Sequence, residues 1–78
     1  MPTVLRVRSF RFFFFSNDKG EPLHIHVESD DRYAKFWLEP VQLAKSVGFG
    51  GHDINDIKRL VVENVNFFKE KWYEHFGG

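Results

Sequence analysis

The chain has 78 residues, with 11 Lys plus Arg against 11 Asp plus Glu and no cysteine. A chain of this length closes one hydrophobic core and has no room for a second, so residues 1–78 read as one domain. Zero formal charge excludes a globally basic nucleic-acid binder and an acidic tail, and no DNA partner is predicted. Without thiols there is no disulfide framework, no cysteine nucleophile and no zinc–thiolate site.

Thr3–Arg8 alternates, with Leu5 and Val7 opposite Arg6 and Arg8, and predicts a half-buried strand. Phe10–Phe15 predicts a second strand, apolar on both faces. The turn formers Ser16-Asn17-Asp18-Lys19-Gly20-Glu21-Pro22 predict a hairpin loop. Leu23–Glu28 alternates again, placing Leu23, Ile25 and Val27 opposite His24, His26 and Glu28. After the turn Ser29-Asp30-Asp31-Arg32, Tyr33–Leu38 sets Ala34, Phe36 and Leu38 against Tyr33, Lys35 and Trp37. Short turns between successive strands predict an antiparallel meander. Pro40 interrupts it. Val41–Val47 reads as a fifth strand in preference to a helical turn, and Gly48-Phe49-Gly50-Gly51 breaks the chain.

From about Gly51 the period becomes 3.6. Ile54, Ile57, Val61, Val65, Phe68, Trp72 and Phe76 form one apolar stripe, with Asp53 and Asp56 near its start and Lys69 and Lys71 near its end. Gly77-Gly78 terminates the pattern. One long helix is predicted, although Val61–Asn66 is poor in helix formers and a break there would fold the tail back on the sheet. The fold class is therefore α+β: an antiparallel meander of four to five strands, packed on one face by a long C-terminal helix.

Aromatic residues make up 18% of the chain, and a helix about 10 Å wide covers at most one face of a sheet whose strands repeat every ~4.8 Å. The covered face carries Leu5, Val7, Ile25, Val27, Ala34, Phe36 and Leu38. The other face carries Arg6, Arg8, His24, His26, Tyr33, Lys35 and Trp37, joined by either Arg11, Phe13 and Phe15 or Phe10, Phe12 and Phe14. An open aromatic and cationic face implies a use. Three uses compete: stacking of two copies, docking of another protein, and binding of single-stranded RNA through stacked bases and Arg or Lys. The interaction face is thus predicted at Arg6, Arg8, Phe13, Phe15, Tyr33 and Trp37.

His24-Ile25-His26 is the sharpest local feature. Residues i and i+2 of a strand project to one side, with Cα atoms roughly 6.5–7 Å apart. Two such imidazoles can ligate a metal if a third ligand joins them, for which His52, His75, Glu28 and Asp30 are the candidates; none has a diagnostic spacing. The bland reading is a pair of half-buried, hydrogen-bonded histidines beside Trp37 and Tyr33. The catalytic reading is a metal-independent ribonuclease. One imidazole takes a ribose 2′-OH proton, the other protonates the leaving oxygen, and Arg11 and Lys35 neutralise the phosphorane. No cofactor is predicted, and no metal ligands are assigned. There is no phosphate loop. The longest apolar run, Phe12–Phe15, is far shorter than the ~20 residues of a membrane helix. Met1–Arg6 lacks the pattern of a secretory signal. A cytoplasmic location is expected.

The opening Met1-Pro2-Thr3-Val4, the block Arg11-Phe12-Phe13-Phe14-Phe15-Ser16-Asn17, Glu21-Pro22 with His24-Ile25-His26-Val27, and Ala34-Lys35-Phe36-Trp37-Leu38 together resemble the bacterial family called domain of unknown function 4160. The spaced Ile54, Ile57, Phe68, Trp72 and Phe76 resemble its C-terminal helix. Leu23 departs from a frequent Pro, and Gly50-Gly51 from a Ser-type cap, which weakens the helix start by up to about 1 kcal/mol. The resemblance implies a small bacterial or phage protein, often encoded beside another small domain of unknown function in a toxin–antitoxin-like pair. It supplies no catalytic residues. The combined expectation is an interaction module, either a homodimer or bound to the adjacent-gene protein, with RNA binding or cleavage as the alternative and metal binding third.

Overall fold

The alternating first half forms five strands, β1 (Thr3–Val7), β2 (Phe10–Phe13), β3 (His24–Ser29), β4 (Arg32–Leu38) and β5 (Val41–Val47), followed by α1 (Gly51–Glu63) and α2 (Val65–Phe76). This computed structural model describes residues 3–16 and 18–77. Met1 and Pro2 of the opening motif, Asn17 of the loop and Gly78 of the terminal pair lie outside the described residues. The strands pair antiparallel in chain order, β1-β2-β3-β4-β5. The architecture is α+β, as the patterning predicts.

Parity sorts the side chains. Phe12 pairs with Val27 and Val27 with Ala34, while Ile25 pairs with Phe36. These five are 0% exposed and face the helices. Phe10, Phe14, Leu38, Ile57, Val61, Phe68 and Trp72 complete the core, with Ile54, Val65 and Phe76 packed against it. The predicted helical stripe is thus the buried face of the helices. Each of the large side chains it buries contributes about 1.5–3 kcal/mol. Of the two options for β2, Arg11 and Phe13 take the outer face, and Phe10, Phe12 and Phe14 face the helices.

Three details differ from the expected elements. First, the single helix is two. Asn64 has φ −113° and ψ 15°, its N–H donates to the Leu60 and Val61 carbonyls, and its Nδ2 donates to Leu60 O at 2.8 Å. An asparagine that bonds its own preceding turn competes with helix propagation. The break lets α2 direct Phe68 and Trp72 onto the sheet.

Second, Arg8 is not a strand residue. It adopts φ 54° in the β1–β2 turn, reaches Asp56 of α1 at 3.9 Å and lies over the Phe10 ring. It therefore lies on the helix side, not on the predicted interaction face. Third, β2 ends at Phe13. The connection to β3 is correspondingly long and contains a 3₁₀ turn at Asp18–Gly20.

Candidate functional site

Register places Phe13 opposite His26, His26 opposite Lys35, and His24 opposite Trp37 on the outer face of the sheet. The β2–β3 connection folds back over this face. Asp18 N–H donates to Phe15 O, and Glu21 N–H to Asp18 O, closing two tight turns. Asp18 accepts the Phe15 N–H at Oδ2 over 2.8 Å, a local side-chain bond that aims its carboxylate at the sheet.

The result is a buried polar cluster. Asp18, His24 and His26 are 5%, 0% and 3% exposed. His26 Nε2 lies 2.9 Å from Asp18 Oδ2, and His24 Nε2 lies 3.1 Å from Asp18 Oδ1. The other ring nitrogens are also engaged. His26 Nδ1 is 2.6 Å from Tyr33 Oη, and His24 Nδ1 is 2.7 Å from the Pro22 carbonyl. Aromatic rings enclose the pair. Phe15 stands edge-on to His26 at 4.5 Å, Phe13 and Tyr33 stack on it at 5.5 and 5.7 Å, and Trp37 and Trp72 flank His24.

The partners assign the protons. The Pro22 carbonyl only accepts, so His24 Nδ1–H donates to it. For His26, Tyr33 O–H donates to Nδ1 and Nε2–H donates to Asp18, which makes the ring neutral. Burial lowers the His26 pKa below its ordinary 6.5, outweighing the opposing pull of Asp18. Burial also pushes the Asp18 carboxyl up, but the Phe15 N–H and the two imidazoles outweigh it and hold the group below 3.8. Tyr33 is raised, by burial first and by Asp18 and Glu21 next.

The histidine-bearing face is therefore not open, contrary to the coverage argument. The β2–β3 loop seals it, with Trp72 of α2 closing against His24. Phe13 is 3% exposed, and Phe15, Tyr33 and Trp37 are half-buried, so Phe13 presents nothing to a partner. Lys35 donates to Glu21 at 2.5 Å and lies over Trp37. Arg11 donates to Glu28 at 2.6 Å and to Thr3 at 2.7 Å, and lies over Phe13. Arg6 is exposed.

Of the four predicted catalytic residues, His24 and His26 come together under the loop. Lys35 stands beside His26 across the β3–β4 ladder, and Arg11 faces Glu28 one ladder position on. A polymeric substrate has no path to either buried imidazole in this arrangement.

None of the four third-ligand candidates joins the pair. His52 is 90% exposed at its side chain on α1 and 3.5 Å from Asp56, and His75 stacks on Phe14. Glu28 is held by Arg11, and Asp30 lies 3.5 Å from Arg32 in the next turn. The third member is Asp18, which in the sequence stands among the turn formers of residues 16–22. The available signal was its position: an acid in a loop long enough to return over the strand that follows it.

Elsewhere a groove of about 330 Å³ is lined by Thr3, Val4, Phe14, Lys71, Glu74 and His75, and no member of the cluster reaches it. No described helix is long and apolar enough to cross a membrane. Neither a curated protein nor a solved structure matches the chain. Strands β2 to β5, the His-x-His strand among them, with α1 and most of α2 fall within residues 9–73, which match the model of the family described as a domain of unknown function (DUF4160), and the chain belongs to that family.

Proposed function

We propose that the domain is a protein-interaction module whose docking surface is the free edge of β5, and that its occupant is a strand of a cognate small protein. The observation that carries this is the exposure of β5. Every residue after Val41 is exposed, including Leu43 at 41% and Val47 at 51%. An edge strand offers a row of backbone donors and acceptors on which another chain can add a strand.

Charge selects the occupant. Lys45 lies directly opposite Lys35 in the β4–β5 ladder, and Glu21 neutralises Lys35 alone. Lys45 makes no ion pair among the described residues. A partner strand with an acid beside Lys45 relieves the repulsion. A symmetric ribbon of two β5 strands centred on Ala44 instead brings two Lys45 side chains within two positions of each other, which is destabilising. A cognate partner is thus favoured over a second copy. The resemblance points to the adjacent-gene protein of a cytoplasmic, toxin–antitoxin-like bacterial pair as that partner.

The test is co-expression with the adjacent-gene product, followed by chromatography with light scattering. A 1:1 complex is expected. Leu43→Lys and Lys45→Glu weaken it at least tenfold, while the isolated variants stay folded. A complex indifferent to both substitutions overturns the proposal. So does a homodimer that Leu43→Lys splits, or salt-dependent RNA binding lost in Arg6→Ala.

A further inference from the structure

The buried cluster contains one contact that its hydrogen bonds do not explain. His24 Nδ1–H donates to the Pro22 carbonyl, so a neutral ring carries its lone pair at Nε2. That lone pair lies 3.1 Å from a carboxylate oxygen, off the axis of any hydrogen bond, and Nε2 has no hydrogen-bond partner among the described residues. Two such atoms buried this close need a positive charge between them, either a proton on Nε2 or a metal ion, and the poor hydrogen-bond geometry favours the ion.

We infer that Asp18, His24 and His26 are the ligands of a divalent first-row metal ion, zinc, that clamps the β2–β3 loop onto the sheet. One oxygen of Asp18 and one nitrogen of each ring lie within 4.8 Å of one another. Zinc binds imidazole nitrogen and carboxylate oxygen at ~2.0–2.2 Å in tetrahedral geometry, which sets neighbouring ligand atoms roughly 3.3–3.6 Å apart. The N···O separations, 2.9 Å from His26 to Oδ2 and 3.1 Å from His24 to Oδ1, are a few tenths of an ångström shorter than that, so loading moves the carboxylate back from the rings and draws the two rings around the ion.

The surroundings also suit the ion. Ligating histidines as a rule donate their second N–H to an oxygen. His24 already does so, to Pro22. His26 has Tyr33 Oη at 2.6 Å. On loading, His26 changes tautomer: Nε2 gives up its proton, Nδ1 takes one up from solvent with no net release, and Nδ1–H donates to Tyr33 Oη, reversing that bond. Two nitrogens and one carboxylate form a borderline donor set, suited to zinc over magnesium or calcium.

Burial makes the role structural. The ion ties Asp18, in a loop, to two residues of β3, where the small core has least redundancy. Lys35 opposes the ion's charge, and Glu21, which pairs with Lys35, offsets this. The inference is independent of the docking proposal, because no ligand lies on β5.

The test uses the full chain, stripped with chelator and titrated with Zn²⁺ by calorimetry and with Co²⁺ by absorption. One equivalent is expected, with visible bands typical of low-coordinate cobalt. Zn²⁺ at 100 times its dissociation constant shifts the unfolding equilibrium about 100-fold. His24→Gln lowers affinity at least tenfold. If that variant does not fold, Asp18→Asn serves the same purpose with less change in shape. His52→Ala and His75→Ala, on the surface, leave uptake unchanged.

Long-range ¹H–¹⁵N spectra read the nitrogen directly. With zinc, His24 Nε2 shows a ligated nitrogen without a proton. Uptake that follows His52 or His75, uptake unaffected by His24→Gln and Asp18→Asn, or a protonated His24 Nε2 in the presence of zinc overturns the inference.

Discussion

The two faces of this sheet are both dry at their centres and differently built. On the helix side, Phe12, Ile25, Val27, Ala34 and Phe36 have no exposed surface and no polar atoms to satisfy. On the outer side, His24 and His26 are as buried, but beneath a loop anchored by Asp18. The first face is held by non-directional apolar contact, which tolerates imprecision. The second depends on a few oriented bonds, each costly to leave unmade. Burial alone thus says little about how a region fails: the helix side should fail with loss of volume, and the loop side with loss of one oxygen.

Four measurements sharpen that contrast. The largest effect belongs to the helix side: Phe36→Ala should cost about 3–5 kcal/mol in urea unfolding, and a loss under about 1 kcal/mol would break the comparison. Next is Asp18→Ala, which strands the Phe15 N–H and the His26 Nε2–H. A loss of about 1–3 kcal/mol is expected, with hydrogen exchange at Phe15 faster than in the core strands. Uniformly faster exchange would show that loop and core are one cooperative unit.

Gly48→Ala tests the hinge between sheet and helices. Gly48 has φ 88°, and an added Cβ would meet Arg32 Cγ at 2.9 Å. About 1–2 kcal/mol should be lost. An unchanged midpoint would mean that the backbone there relaxes freely.

The smallest effect is electrostatic. The Lys35 hydrogen bond holds the exposed Glu21 carboxyl below its usual 4.5. The sign follows: the contribution of this pair is present above the unfolded value and is lost as pH falls through the folded one. In Lys35→Met the Glu21 carboxyl should titrate higher by NMR. No upward movement would remove Lys35 from the loop's anchoring.

Much of this was legible in the residues. Period two in Leu23–Glu28 and Tyr33–Leu38, and period 3.6 from Ile54 to Phe76, are direct consequences of strand and helix geometry, and they sort core from surface without further information. The break at Asn64 was half visible, as a run of weak helix formers, because propensity marks where a helix is easy to interrupt but not whether packing rewards the interruption. Arg8 was misplaced because its left-handed φ belongs to the turn, which alternation does not record.

The chain's patterning by itself determined an α+β meander with an apolar face under helices, and it put His24, His26, Lys35 and Trp37 on the opposite side. Only the tertiary structure decided what covers that side. A loop of turn formers has no period, so its path over the sheet depends on bonds between residues distant along the strand ladder. Phe15, Asp18 and Glu21 meet His26, His24 and Lys35 only once the register is set.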